Sequence, residues 1–485
     1  MTTDVETTTG ARATAGGCTN HLGTTFKAAY GTGQCVESLA NLLLNTFLFF
    51  YLTNVCGLSG SMTGLALFLA LGVDAIADPL IGAFSDGLTT RFGRRLPVMT
   101  ISLLPIGLAL GLLFSLPQWH PGTDLFLYVL LLLVVLRVSL SGFIIPFMGL
   151  GAELSDDYDE RSSIVAFRTI FGIAITLVGY VLGFQVFLGG STGLMDRAGY
   201  GSLGFSCGII VLVAGALSIF SARNARIRKL RHRPAQGDLR FLAQLAEVFG
   251  NSSFRRLFSG VLFFFVGQGV WLTLSLHANT YFWHLSAAQI QNLSFATVGG
   301  LIGALPLAFY LIGRTEKRSL VLGCVGAMSL AEALPVLLAQ FSAIAVQGAV
   351  ARLVLLFGAA VIGGATTLAT IAFQSAMADA VDEHEVLFAA RREGLYFASL
   401  SFASKAAIGF GSLISGALLQ LIAFPSQEIA AGHKVTIAPH ILDALGMAYG
   451  PFAALITAIS LISFARYRLD RTRHAQFQGQ LRRPS

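Results

Sequence analysis

Residues 72–97 read G-V-D-A-I-A-D-P-L-I-G-A-F-S-D-G-L-T-T-R-F-G-R-R-L-P, two carboxylates in an otherwise apolar stretch that runs into a basic turn. Asp74 and Asp78 are spaced so that a helix carries both on one face, one turn apart. A charged side chain at a bilayer centre costs roughly 2.5–3.5 kcal/mol on insertion scales, so two at one level require a compensating partner. Adjoining carboxylates in a low dielectric cannot both stay ionised unless a cation neutralises them or one takes a proton. The chemistry is that of holding a cation inside a membrane.

Other polar residues fall within apolar stretches. Lys405, in Y-F-A-S-L-S-F-A-S-K, lies about a dozen residues into its segment. It either snorkels to the interface or balances charge at the cation site or substrate. Arg137 shares a helical face with Ser141, Ile144 and Met148. An arginine avoids lipid, so that face is expected to line a cavity, unless Arg137 only braces two helices through an ion pair. Glu37, Asn41 and Asn45 form a similar stripe, with Glu37 a partner for Arg137 or for a cation. Arg168, at the start of another segment, fits either a cytoplasmic latch or a substrate contact. Only His277 among the nine histidines falls well inside an apolar segment, without a second ligand at metal spacing. No G-x-x-x-x-G-K-[ST] loop occurs, which excludes ATP hydrolysis on this chain as a driving force.

These residues need helices of membrane length to position them. Hydrophobic residues make up 54% of the chain and charged residues only 12%, about half the usual charged share. Apolar stretches long enough to span the hydrocarbon core recur throughout. The expected spans are 28–56, 61–85, 97–116, 124–150, 163–189, 202–222, 256–282, 290–313, 319–341, 348–378, 394–423 and 443–467. Runs of this length exclude an outer-membrane barrel, whose strands are short and alternating. The fold class is therefore an all-α, multi-pass membrane protein of twelve spans. Residues 1–24 show no basic n-region followed by an apolar h-region, so no cleavable signal peptide is expected. The scattered Cys18, Cys35, Cys56, Cys207 and Cys324 form no disulfide or metal pattern.

The net charge of +7 reads as topology rather than as a nucleic-acid partner. If the N-terminus is cytoplasmic, 26 of the 32 Lys and Arg residues fall on that side, while the opposite loops carry Arg197 and Lys434. That asymmetry places both termini in the cytoplasm. The expected organisation is a disordered N-terminus (1–27), a six-helix bundle (28–222), a basic loop (223–255), a second bundle (256–468) and a basic tail (469–485). Within the loop, F-L-A-Q-L-A-E-V-F-G suits an interfacial amphipathic helix.

The halves echo one another. E-L-S-D-D-Y-D-E-R (153–161) follows span 4, and A-D-A-V-D-E-H-E-V-L-F-A-A-R-R-E-G (378–394) follows span 10. G-R-R-L-P after span 2 is faintly answered by G-R-T-E-K-R after span 8. A half-length repeat is the signature of two bundles facing a central cavity. Asp86, Arg94, Arg95, Glu153, Asp157, Arg161, Asp379, Asp382, Arg391 and Arg392 are expected to form cytoplasmic ion pairs that gate it. Exposed pairs contribute about 0–1 kcal/mol each, but a network formed in one state biases the equilibrium by its full differential energy. The alternative is ordinary solvated, topogenic charge.

Several of these motifs recur together in one family. D-A-I-A-D-P (74–79), R-F-G-R-R-L-P (91–97), I-P-F-M-G-L-G-A-E-L (145–154), D-Y-D-E-R (157–161) and R-R-E-G-L-Y-F (391–397) resemble, in order and spacing, the glycoside–pentoside–hexuronide:cation symporters, the melibiose permease-like branch of the major facilitator superfamily. The resemblance runs from Tyr30 to Arg468. It implies two pseudo-symmetric six-helix bundles and cation-coupled symport of a sugar, glycoside or related solute. No cofactor is implied beyond the coupling cation, Na+ or H+. Asp74 and Asp78 would hold that cation, Ser141 stands where the family has a hydroxyl ligand, and Lys405 falls on the family's lysine beside the site. Arg168 falls on an arginine that helps bind sugar.

The departures from that pattern concern the substrate. Ala77 replaces an asparagine next to the second aspartate, removing a neutral oxygen ligand and tilting the cation towards a proton. The sugar-binding Lys-Asp pair of a galactoside carrier reads Glu37-Ser38, a further aspartate reads Ile144, and two stacking tryptophans read Met148 and Thr370. An anionic glycoside engaging Arg137, or a more apolar solute, fits these changes better than a galactoside. The expected partners are a small-molecule substrate and the lipid bilayer, in a monomer of the bacterial inner membrane and not an enzyme. The alternatives are a carrier or exporter of an amphiphile such as a lysolipid, or a non-transporting sensor.

Overall fold

The computed structural model describes residues 22–223 and 241–467 apart from Thr89, Phe92, Asp156, Ser191, Thr192, Gly313, Ala389, Arg391 and Lys434, and also Phe477. The described residues form helices and connecting turns, with no strand among them. The first half comprises α1 (Thr24–Gly31), α2 (Gln34–Leu42), α3 (Gly60–Gly87), α4 (Leu96–Leu113), α5 (Thr123–Glu153), α6 (Tyr158–Val181) and α7 (Arg197–Arg223). A connecting helix α8 (Phe241–Gly250) leads to α9 (Ser252–His277), α10 (Ala287–Ile312), α11 (Lys317–Gln340) and α12 (Ala349–Phe388). The chain closes with α13 (Glu393–Leu421), the short α14 (Ser426–Ala430), α15 (Pro439–Met447) and α16 (Ala453–Ala465).

Eleven of the described helical segments are long and apolar enough to cross a membrane. The expected first span, 28–56, is not one continuous α-helix. Gly31-Thr32-Gly33 interrupts it, and π-helical segments Leu43–Leu48 and Tyr51–Val55 follow α2. Glycine is required at the interruption, because a Cβ on Gly33 would lie 2.5 Å from the Phe147 ring of α5. The expected span 348–378 is too short, since α12 continues to Phe388. The acidic residues Asp379 and Asp382 therefore ride on a helix rather than in a loop.

The packing repeats between halves. In the first, α4 packs on α5 and α7, and α3 on α5; in the second, α11 packs on α12 and α16, and α10 on α12. The broad contact between halves is α3 against α13. It closes tightly at the end away from the described chain termini, where a Cβ on Gly416 would lie 2.1 Å from the Gly60 carbonyl oxygen. Only glycines allow that approach. At the same end His277 Nε2 of α9 meets Asn54 Nδ2 at 2.7 Å and Thr53 Oγ1 at 3.0 Å, ringed by Phe49, Phe50 and Phe424.

Candidate functional site

The centre of the α3–α13 crossing holds a four-residue charged cluster. Asp74 and Asp78 stack on one face of α3, Ser141 projects from α5, and Lys405 projects from α13. Ser141 Oγ lies 3.0 Å from Asp74 Oδ1 and 2.6 Å from Asp78 Oδ1. The Lys405 ammonium is 2.8 Å from Asp74 Oδ2 and bonds Asp78 Oδ2 as well. Asp74 is only 4% exposed, so its charge depends on these partners rather than on water. Pro79 has no N–H, so it leaves the carbonyl of Ala75 without its helical donor beside the carboxylates. Two carboxylates and a hydroxyl are oxygen donors of the kind a small cation binds, and the Lys405 ammonium lies among them.

The other expected substrate residues divide. Arg137 is buried and donates to Asn41 Oδ1 at 3.4 Å, while its Nε has no partner. Glu37 accepts from Gln34 Nε2 at 2.8 Å, whereas Arg137 bonds Asn41 and makes no ion pair with Glu37. The bracing pair considered from sequence is thus absent: Gln34, one turn before Glu37, captures the carboxylate. Arg168 donates to Gln34 Oε1 at 3.1 Å, touches Met148 Sδ, and lies 4.7 Å over the Phe147 ring. Ser38 faces α6, where a Cβ on Gly172 would come 3.0 Å from its hydroxyl. Ile144 is buried in the core of the first half, whereas Thr370 is half-buried on α12, in the second half.

Among the described residues, the cytoplasmic ion pairs made by Arg94, Arg95 and Lys317 join elements of the same half. Arg95 Nη2 lies 3.2 Å from Asp86 Oδ1 and 3.0 Å from Glu153 Oε1, and Arg94 also bonds Glu153. In the second half Lys317 Nζ meets Asp379 Oδ2 at 2.6 Å, joining the start of α11 to α12 as Arg94 joins the start of α4 to α5. Asp157 caps α6, accepting from the Asp159 and Glu160 amides, and Arg161 Nε donates to the Ser155 carbonyl at 2.6 Å. Arg392 reaches Glu247 of α8 at 3.8 Å, and Glu247 also meets His384. Asp382 is on α12, and Arg391 lies outside the described residues.

Sequence reading missed Gln34, the Thr53–Asn54–His277 cluster and Glu332. Glu332 was visible as a lone acid in L-A-E-A-L-P within an apolar span. It is 1% exposed, and its Oε2 accepts from Thr457 at 3.2 Å.

Two helical halves that meet around a buried charged centre have the build of an alternating-access membrane transporter. The chain matches the family described as "MFS/sugar transport protein" over residues 29–471. It belongs to that family, and within it to the glycoside–cation symporters of the major facilitator superfamily. It is similar to the inner membrane symporter YicJ of Escherichia coli, 24% identical over 83% of this chain and 84% of that one. The isoprimeverose transporter of Lactiplantibacillus pentosus is 23% identical over 91% and 88%. The uncharacterized symporter sll1374 of Synechocystis is 30% identical over 39% of this chain, and the match spans 36% of that protein's length. The fold is shared with the inward-open xylose transporter XylE of E. coli, with a TM-score of 0.60 at 15% identity over 94% of this chain and 98% of that one. The chain is an integral, multi-pass membrane transporter and not an enzyme.

Proposed function

We propose that the chain is a cation-coupled symporter that moves a sugar or glycoside across a bacterial inner membrane by alternating access, with both termini cytoplasmic. The observation that carries this reading is the Lys405 ammonium bridging Asp74 and Asp78. The carboxylates ride on the first half and the ammonium on the second. A coupling cation entering the site must displace that ammonium, so its binding exchanges an ion pair across the halves for a ligand within one half. That exchange is the differential energy a ligand needs to bias two states.

Donor counting favours a proton. Ser141 has a single hydrogen yet makes short contacts to both carboxylates, and a carboxyl proton would satisfy the second contact. The interlocked end that carries Gly60, Gly416 and His277 is then periplasmic, and the state is inward-facing. Arg137, which has an unpartnered Nε and no ion pair, is the contact for an anionic substituent on the substrate. The isoprimeverose transporter supports the sugar class.

The test is uptake of radiolabelled sugars and lysolipids into vesicles under an imposed proton or sodium gradient. Sugar accumulation should follow the proton gradient. Asp78→Asn should abolish accumulation while sparing some energy-independent exchange. Full accumulation in that variant would remove the coupling site, and lysolipid accumulation in place of sugar would remove the substrate class.

A further inference from the structure

A second intramembrane carboxylate lies where the charged cluster cannot reach it. Glu332 of α11 lines a cavity of ≈ 90 Å³ walled by the second half and by Thr46 and Tyr180 of the first. That volume exceeds what one or two waters occupy, at about 30 Å³ each. Glu332 Oε1 has no hydrogen-bond partner, and among the described residues no Lys, Arg or His lies within ion-pair distance of it. Asn279 is also buried; its Nδ2 donates to Ser275 Oγ at 3.2 Å, and its Oδ1 has no partner. Trp271 and Tyr449 line the same cavity as a stacked pair, with ring centroids 5.9 Å apart and planes 24° apart.

We propose that this cavity is a second recognition site, which holds one uncharged, hydroxylated ring of the solute by hydrogen bonds to Glu332 and Asn279 and by packing on Trp271 and Tyr449. Three observations carry the assignment. The unsatisfied atoms are a carboxyl oxygen of Glu332 and the amide oxygen of Asn279, and a hydroxyl group, which both donates and accepts, pairs with the amide and with either form of the carboxyl. A buried polar atom left unpaired costs about 1–3 kcal/mol, which a matching guest recovers. The aromatic pair offers a flat apolar face to the carbon side of a sugar ring, in the usual pattern of a mostly apolar pocket with a few convergent polar groups. The site rests on the sugar-carrier reading and extends it, because walls from both halves mean that rocking opens or closes the pocket around its guest.

Purified carrier is titrated with D-xylose, D-galactose and their methyl glycosides while tryptophan fluorescence is followed, and uptake of the same sugars is measured in vesicles. Wild type should respond to sugar, and Trp271→Phe should lose the response. Glu332→Leu should raise the half-saturating sugar concentration tenfold or more, while Glu332→Gln, which keeps an acceptor, should stay within threefold. Both replacements remove a buried acid, and wild-type melting temperatures confirm their fold. Unchanged sugar affinity in Glu332→Leu overturns the site. Choline is the counter-probe: a response to it that Glu332→Gln abolishes overturns the sugar assignment in favour of an organic cation. Sugar uptake without a Trp271 response removes the site and leaves the transport reading. A Trp271 response without uptake does the reverse, and neither signal removes both.

Discussion

The carboxylates at 74 and 78 and the carboxylate at 332 lie in comparable apolar surroundings and meet opposite fates. The first two share an ammonium and a hydroxyl, each oxygen pair matched by a donor from another helix. Glu332 has one threonine hydroxyl and an oxygen left over. A buried acid can be neutralised by a built-in cation or left for something that arrives. The protein does the first at the crossing of its halves, where the partner can be withdrawn by motion. It does the second in a cavity walled by both halves, where neither half brings a cation to the acid.

The largest expected effect breaks the first site. Asp78→Asn should abolish gradient-driven accumulation, measured as a steady-state sugar ratio across vesicles that falls to about one. Lys405→Ala should come next, because it strands two carboxylates. Allowing for its partial exposure, the loss is on the order of 2 kcal/mol, read as a lowered melting temperature that an added Asp78→Asn restores. Failure of that rescue would mean that Lys405 acts by packing alone.

Gly416→Ala tests whether the first site depends on the close seam. Its new methyl group collides with the Gly60 carbonyl, an overpacking cost of about 1–3 kcal/mol, and should disfavour this closed state. Buried Cys56, at the same end, should then become reactive to a membrane-impermeant maleimide. Glu332→Leu sharpens the contrast: it removes an unmatched acid and should leave thermal stability equal or higher, unlike Lys405→Ala. The smallest effect belongs to Asp86→Asn, since Asp86 is 44% exposed and its loss leaves Arg95 paired with Glu153. About 0–1 kcal/mol is expected in a melting experiment, because the pair stays within one half.

Residue spacing made much of the coupling site legible. A four-residue offset puts Asp74 and Asp78 on one helical face whatever the surroundings, and the cost of charge in a bilayer demands a cation beside them. Lys405 could be named as a candidate from its depth in an apolar run, while its alternative, snorkelling, was equally local. Which acidic cluster meets which basic residue was not legible, because spacing along the chain does not pair them. The structure joins Arg94 to Glu153 and Lys317 to Asp379, each within its half. The Glu37–Arg137 pair failed for the same reason. Gln34 is close in sequence to Glu37 but wins it only because α2 and α5 leave Arg137 facing Asn41.

Hydropathy and half-length repetition by themselves determined a helical membrane protein in two related parts, since run length against bilayer thickness is a local property. The same local chemistry determined that a cation belongs beside Asp74 and Asp78. Only the tertiary structure decided that this cation is supplied from the opposite half, because Lys405 is more than 300 positions away and reaches them through a glycine-lined seam. Only the tertiary structure left Glu332 without a counter-charge beside an aromatic pair. Whether a buried acid is satisfied depends on which helices face it, and that is settled by packing between segments far apart in the chain.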